Sequence, residues 1–198
     1  YLASSSEVYQ TPEEIPTDEE EPLKIPDIYN PRYSYGGGKI LTELMGVHYG
    51  KLYFNKLVIF RPHNVYGPNM GYDHVIPEFI NRFKKMKKKD NKFEIKGSGN
   101  ETRSFIFIDD FVSAFDLILK KGKHLNIYNI GTNDEIKINR LALKISKFFN
   151  KKIILRRTKI AKGSAKHRCP DILKISKLGF KQKCNLNLGL LKTIDWYR

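Results

Sequence analysis

From about Tyr33 to Tyr49, Ile40, Leu41, Leu44, Met45, Val47 and His48 recur at helical spacing, and a few residues later comes Lys56-Leu57-Val58-Ile59-Phe60, an almost unbroken apolar run. A run of that kind reads as a strand buried on both faces, and a helix leading into such a strand is the rhythm of a parallel α/β sheet. This pairing restricts the chain to the α/β class.

The remaining segments keep the alternation. Tyr1 to Ser5 reads as a strand end running into a loop, and the stretch from there to Pro31 holds five prolines and reads as an exposed connection. Its length for a segment without regular structure points to a functional role. A helix is expected from His74 to Lys88, a strand at Lys92 to Lys96, a turn at Gly97-Ser98-Gly99-Asn100 and a strand from Arg103 to Ile108. Asp109 is expected to cap a helix running through Phe111, Ala114, Phe115 and Ile118, and Leu125 to Ile130 reads as a strand ending at Gly131. Two further helices, about Lys137 to Phe149 and Leu186 to Tyr197, flank a strand at Lys152 to Leu155.

Composition narrows the class further. With 40% hydrophobic and 12% aromatic residues in 198, the chain can bury a core, which excludes intrinsic disorder. No apolar run approaches the roughly 18 to 20 residues of a membrane span, and Tyr1 to Ser6 lacks the basic flank of a signal peptide, so a cytoplasmic location and no membrane partner are expected. Cys169 and Cys184 are too few for a disulfide framework or a four-ligand zinc site, so no metal is expected. The net charge of +15 is unevenly spread: residues 7 to 30 carry −7 and the rest +22, with basic concentrations at Arg82 to Lys96 and Lys151 to Arg168. Basic faces attract polyanions in general. Without zinc-finger spacing, an aromatic RNA-binding signature or a long basic helix, the 27 lysines read as solvated helix faces, and nucleic acid is not the expected partner.

Tyr35 and Lys39 stand four apart at the start of the first helix, on one face of one turn. A tyrosine is a poor base at neutral pH, but a nearby ammonium favours its phenolate, which makes Tyr35 a usable proton shuttle. Tyr-x-x-x-Lys is common by chance. Here it follows Ser4-Ser5-Ser6-Glu7-Val8-Tyr9 at a strand end, and parallel sheets carry their chemistry at the carboxyl ends of strands.

With these residues the chain resembles the extended short-chain dehydrogenase/reductase family, in particular its NAD-dependent nucleotide-sugar epimerases, dehydratases and decarboxylases. The resemblance runs over nearly the whole chain, on six motifs in order. They are Ser4 to Tyr9; Tyr35-Gly36-Gly37-Gly38-Lys39 with Glu43; Arg61-Pro62-His63-Asn64-Val65-Tyr66-Gly67-Pro68; Gly97-Ser98-Gly99 leading to Arg103-Ser104-Phe105-Ile106-Phe107-Ile108-Asp109-Asp110; Tyr128-Asn129-Ile130-Gly131; and Arg168-Cys169-Pro170-Asp171 with Leu178-Gly179-Phe180. The resemblance implies an α/β fold comprising the C-terminal part of a Rossmann-type parallel sheet with an interleaved, smaller substrate-binding region. Residues 1–66 and about 101–131 would belong to the NAD-binding part, and about 67–100 and 132–198 to the part that holds a nucleotide-diphosphate sugar. It implies further that Ser5 hydrogen-bonds the reacting sugar oxygen, Tyr35 is the acid/base, and Lys39 holds the nicotinamide ribose and lowers the tyrosine pKa. Tyr35, Lys39 and Pro62 would contact NAD; Ser6, Asn64, Arg103 and Arg168 would contact substrate, the two arginines clamping its diphosphate. A homodimer through the Tyr-x-x-x-Lys helix is also implied.

The choice of reaction turns on Ser6 and Glu7. Dehydratases of the resembling family carry an aspartate and a glutamate after the catalytic hydroxyl residue; Ser6 cannot act as that aspartate, while Glu7 remains available as a base. The order of expectation is therefore epimerase, then decarboxylase, then ordinary 4,6-dehydratase. Two departures stand out. Gly36-Gly37-Gly38 is costly in a helix's first turn, up to about 1 kcal/mol per glycine against alanine, and is expected to admit cofactor or substrate against bare backbone. No Gly-x-x-Gly-x-x-Gly loop for the dinucleotide pyrophosphate occurs, so the first strands of the nucleotide-binding sheet are expected upstream or in another chain. From a different class, a non-catalytic fragment or split subunit binding a nucleotide sugar or a partner chain is the rival expectation.

Overall fold

A computed structural model describes residues 1–87, 90–160 and 162–198. The chain runs β1 (Leu2–Ala3), a 3-10 turn (Ser6–Tyr9), a second 3-10 turn (Pro31–Tyr33), α1 (Ser34–Tyr53), β2 (Val58–Pro62), β3 (Val65–Tyr66), α2 (Val75–Lys85), β4 (Lys92–Lys96), β5 (Thr102–Ser104) and β6 (Ile106–Phe107). It continues with α3 (Ile108–Lys121), β7 (Asn126–Ile130), β8 (Glu135–Lys137), α4 (Ile138–Phe148), β9 (Ile154–Thr158), α5 (Leu173–Ser176) and α6 (Leu186–Tyr197).

The principal sheet is parallel, in the order β1-β2-β7, with Ile59 opposite Leu2 on one side and Ile127 on the other. Central β2 is buried from Val58 to Arg61, as its continuous apolar run required. Three small pairings complete the strands: β3 with β6 and β4 with β9, both parallel, and β5 with β8, antiparallel. Two cores result. Val58, Phe60, Ala114, Ile118, Tyr128 and Ile130 pack with Ile175 and Phe180 around the parallel sheet. Phe79, Ile80 and Phe83 of α2, Leu141 and Ile145 of α4, and Leu190 and Ile194 of α6 pack around Phe93 and Ile95.

Several expectations are corrected. Arg103 to Ile108 is not one strand, because Thr102–Ser104 pairs antiparallel with β8 while Ile106–Phe107 pairs parallel with β3, and the chain must switch partners at Phe105. Asp109 does not cap α3, whose N-cap is Phe107; instead the buried Asp110 accepts from the backbone N–H groups of Lys183 and Cys184 at 3.1 and 2.9 Å, tying in the approach to α6. The strand expected at Lys152 to Leu155 lies two to three residues later, at β9, and α1 runs on to Tyr53. The expected helix from His74 ends at Lys85, and Lys88 lies outside the described residues.

The acidic connection is not simply exposed. Thr17, Glu19 and Glu21 are buried, with Thr17 bridging to Pro170 and Glu19 Oε1 accepting from Asn129 N at 2.7 Å. Helix α1 inverts the usual pattern as well: it buries Gly36, Glu43 and Gly50 and exposes Leu41, Leu44, Met45, Tyr49, Leu52 and Tyr53. Its backbone lies close on the sheet, since a Cβ at Gly46 would meet Leu2 at 2.6 Å and one at Gly50 would meet Leu57 at 2.6 Å.

One ion pair joins this helix to the sheet. Glu43 of α1 receives two hydrogen bonds from Arg61 of β2, at 2.9 and 2.7 Å, and Arg61 Nη1 also donates to the Tyr9 hydroxyl and the Glu19 carbonyl. The two side chains are 2% and 5% exposed, so neither charge is compensated by water. Replacing Glu43 with Ala leaves a buried, unpaired guanidinium and should cost about 3 to 5 kcal/mol in urea denaturation. The double variant Glu43→Leu with Arg61→Met should recover much of that loss, because an apolar pair of similar volume needs no desolvation.

Candidate active site

The site starts at the carboxyl ends of β1 and β2. Ser5, two residues past β1, is extended and caps the following 3-10 turn, its Oγ accepting from Glu7 N at 3.2 Å. Ser6 and Glu7 are thereby presented beside α1, and Gly36 admits the turn: a Cβ there would sit 2.2 Å from Gln10 Nε2 and 2.7 Å from the Glu7 carbonyl. Gly37 faces Ile25 of the acidic connection. Chain packing, rather than cofactor or substrate, meets the bare backbone at these two glycines, which corrects the expectation there, while a Cβ at Gly38 would meet nothing within 4 Å.

Tyr35 and Lys39 share the first turns of α1 as their spacing required. Tyr35 is 57% exposed, and Lys39 Nζ lies 5.8 Å from the centre of its ring while donating to the Ala3 carbonyl at 2.8 Å. The lysine thus bridges the helix to the end of β1. Tyr35 lines a cavity of about 550 Å³ with Ser5, Ser6, Glu7, Pro62 and Asn64. That size suits a small-molecule group.

A second cavity, of about 310 Å³, shares Glu7 and Asn64 and adds Arg103 and Arg168. Arg168 is 8% exposed and forms a two-point ion pair with Glu7, Nη2 to Oε2 at 2.7 Å and Nη1 to Oε1. Burial pushes the Glu7 carboxyl up, but the hydrogen bond and charge of Arg168, with the charges of Arg32 and Arg103, outweigh it and hold Glu7 below the usual carboxylate range. Arg103 donates to the carbonyls of Thr102 at 2.7 Å and Ala165 at 2.9 Å; burial, together with the neighbouring Arg168 charge, lowers it to about 10. Asn64 adopts φ 39° and donates to the Ser104 carbonyl at 2.9 Å, fixing the loop after β2 to β5.

Residues of the sequence motifs that stood far apart therefore line two adjoining cavities with Glu7 and Asn64 in common. Lys39 alone among the expected site residues lies outside the cavity linings, reaching the site through Tyr35 and Ala3. Among the lining residues that carried no expectation, two are polar and shared by both cavities. Arg32 and His74 both border the two cavities, and Arg32 extends to a third, of about 320 Å³, that also includes Arg103. The signal for Arg32 was local: Asn30 caps the short turn Pro31–Tyr33 and aims the residue three before Tyr35.

The model of the NAD dependent epimerase/dehydratase family matches residues 1–131. The chain belongs to this family. It is 34% identical over 202 residues to the human dTDP-D-glucose 4,6-dehydratase, covering 98% of this chain and 55% of that protein. It is 32% identical over 203 residues to a putative UDP-glucose 4-epimerase of Methanocaldococcus jannaschii, covering all of this chain and 62% of that protein. The crystal structure of UDP-glucose 4-epimerase with UDP-glucose from Thermotoga maritima superimposes with TM-score 0.83 at 25% identity, over 98% of this chain and 62% of that one. The chain thus spans little more than half the length of these relatives, and it matches a quarter of the trifunctional plant proteins of Arabidopsis thaliana. Among the described residues no helix is long and apolar enough to cross a membrane.

A buried polar chain starts at Tyr9, the last residue of the 3-10 turn that follows Ser5. The Tyr9 hydroxyl donates to Asn129 Oδ1 at 2.8 Å, and Asn129 Nδ2 donates to the Thr17 carbonyl, so His63 Nε2, 3.1 Å from the same Oδ1, must carry its hydrogen. Complete burial, with the Arg168 and Arg61 charges, pushes His63 down from 6.5 to about 3, the Asn129 contact opposing. Between those values the unfolded chain binds a proton that the folded chain refuses, so stability falls as pH drops through this window, by up to about 1.4 kcal/mol per pH unit from this residue. Urea denaturation between pH 7 and pH 4.5 should show a shallower decline for His63→Gln than for the wild type.

Proposed function

We propose that this chain forms the catalytic and substrate-binding part of an NAD-dependent nucleotide-sugar epimerase. The observation carrying the reading is a pair of adjoining cavities that share Glu7 and Asn64, one lined by Ser5, Tyr35 and Pro62 and the other by Arg103 and Arg168. Residues 1–66 and about 101–131 are assigned to the NAD-binding part, and about 67–100 and 132–198 to the nucleotide-sugar part. The two cores follow that division in part, since Tyr66, Phe105 and Phe107 contribute to the second core while Ile175 and Phe180 pack into the first.

The half-exposed Tyr35 phenol, the Lys39 ammonium held at the end of β1 and Pro62 at the end of β2 fit the nicotinamide-ribose end of NAD. NAD, when bound, supplies hydride acceptance and return. Tyr35 takes the proton of the sugar hydroxyl and gives it back, Lys39 favours the phenolate, and Ser5 orients the sugar oxygen. Arg103 and Arg168 hold the diphosphate, to which guanidinium forks are suited. Glu7 is a base beside the sugar. A homodimer through α1 agrees with the exposed Leu41, Leu44, Met45 and Tyr49.

Ser6 separates epimerase from dehydratase. It is 7% exposed and stands where the resembling dehydratases carry an acid that protonates the leaving hydroxyl. The second reading, a 4,6-dehydratase, is favoured by the dTDP-D-glucose 4,6-dehydratases among the relatives, 32 to 42% identical. Incubation of the full-length protein with UDP- and dTDP-hexoses separates the two, since an epimer retains the substrate's mass and dehydration removes one water.

With the converted substrate, Tyr35→Phe should lower turnover about 10²- to 10⁴-fold while nucleotide affinity stays within a few-fold, because the ring packs as before but carries no transferable proton. Near-normal turnover would remove Tyr35 from the reaction. Arg103→Ala should weaken UDP or dTDP binding by roughly 1.5 to 3 kcal/mol in calorimetry, the value of a hydrogen bond to a charged group.

A further inference from the structure

Glu7 and Arg168 satisfy each other where a ligand would be expected to stand between them. The pair is two-pronged, and Arg168 is more than nine-tenths buried. Its Nε is also buried and donates to nothing among the described residues. A buried arginine with an unused N–H is costly, and it borders the same cavity as Arg32 and Arg103. The charged and titratable groups facing Glu7 in that cavity are Arg32, Arg103 and Arg168, with Asp73 and His74 on its wall. Among the described residues, Arg103 is engaged by carbonyls and the Arg32 side chain makes no hydrogen bond, so Glu7 is the one carboxylate held by a guanidinium here.

We propose that Glu7 is a built-in stand-in for the ligand's diphosphate: an entering pyrophosphate group displaces the Glu7 carboxylate from Arg168, and the released carboxylate becomes a stronger proton acceptor beside Tyr35. The exchange rests on the functional reading only for the identity of the anion as part of a nucleotide. Its physical logic is coupling, because one guanidinium cannot present the same two N–H groups to both anions. While Arg168 holds Glu7, the carboxylate is a weak proton acceptor. Once Arg168 turns to phosphate, the burial that already pushes Glu7 upward is no longer opposed by that contact. A base is thus armed only when a diphosphate is present, at the expense of affinity.

The test uses calorimetry of the full-length protein with inorganic pyrophosphate. Glu7→Gln and Glu7→Ala, which remove the competing charge, should each bind pyrophosphate about tenfold more tightly, whereas Arg168→Gln should bind it at least tenfold more weakly. Asp73→Asn removes an acid from the same cavity that has no contact with Arg168, and should tighten binding less than threefold. At pH 5 the wild type should take up more protons on binding than either Glu7 variant, read from heats in buffers of different ionisation enthalpy. Unchanged or weaker binding in both Glu7 variants, equal tightening in Asp73→Asn, or no excess proton uptake would each overturn the exchange. UDP and dTDP binding no tighter than pyrophosphate, with the exchange intact, would instead sink the nucleotide-sugar reading.

Discussion

The Arg61 guanidinium is the group on which the arrangement depends. It is a full charge in the central strand of the sheet, 2% exposed, and it can be there only because Glu43, Tyr9 and the Glu19 carbonyl take its N–H groups. Those partners come from α1, the first 3-10 turn and the acidic connection. Satisfying one buried cation therefore fixes three segments against the sheet, and the two segments proposed to carry the chemistry, Ser5 to Glu7 and Tyr35 to Lys39, adjoin the parts so fixed. The Tyr9 hydroxyl, pushed up to about 12 by burial despite the adjacent Arg61, stays protonated and passes the network on to Asn129 and His63. A purely apolar contact in this place would be non-directional and would not set the turn's orientation so narrowly.

The cleft has two chemically different ends. Around Tyr35 it is half open and lined by hydroxyls and proline; around Arg168 it is buried and cationic. Glu7 borders both, and among the described residues it is the expected catalytic residue that hydrogen-bonds an expected diphosphate-binding residue. That position is what allows occupancy at one end to alter acidity at the other. The long, proline-rich connection, which sequence marked as unusual, helps to build this place: Arg32 stands at its end, and its buried acids and carbonyls brace the strands behind the cleft.

Periodicity located α1 but did not say which side of it faces the sheet. Leu41, Leu44, Met45 and Tyr49 look like a core stripe, yet Gly46, Gly50 and Glu43 take the sheet side, because close backbone approach and an ion pair replace side-chain interdigitation there. Likewise Arg103 to Ile108 has the composition of one strand but serves two sheets. Strand composition reports burial and pleating, and does not report which partner supplies the hydrogen bonds.

By itself the sequence determined the α/β class, the central buried strand, the pairing of Tyr35 with Lys39 and, through six ordered motifs, the family. These are matters of local spacing and residue chemistry, which a linear string preserves. Tertiary structure alone decided that Glu7 meets Arg168 across 161 positions of chain, that Arg61 finds Glu43, that Gly36 accommodates a turn rather than a ligand, and that Arg32 joins the cleft. The physical reason is that charge pairing and close backbone contact depend on which segments share a dry interior. That follows from how the layers pack, not from any residue's neighbours in sequence.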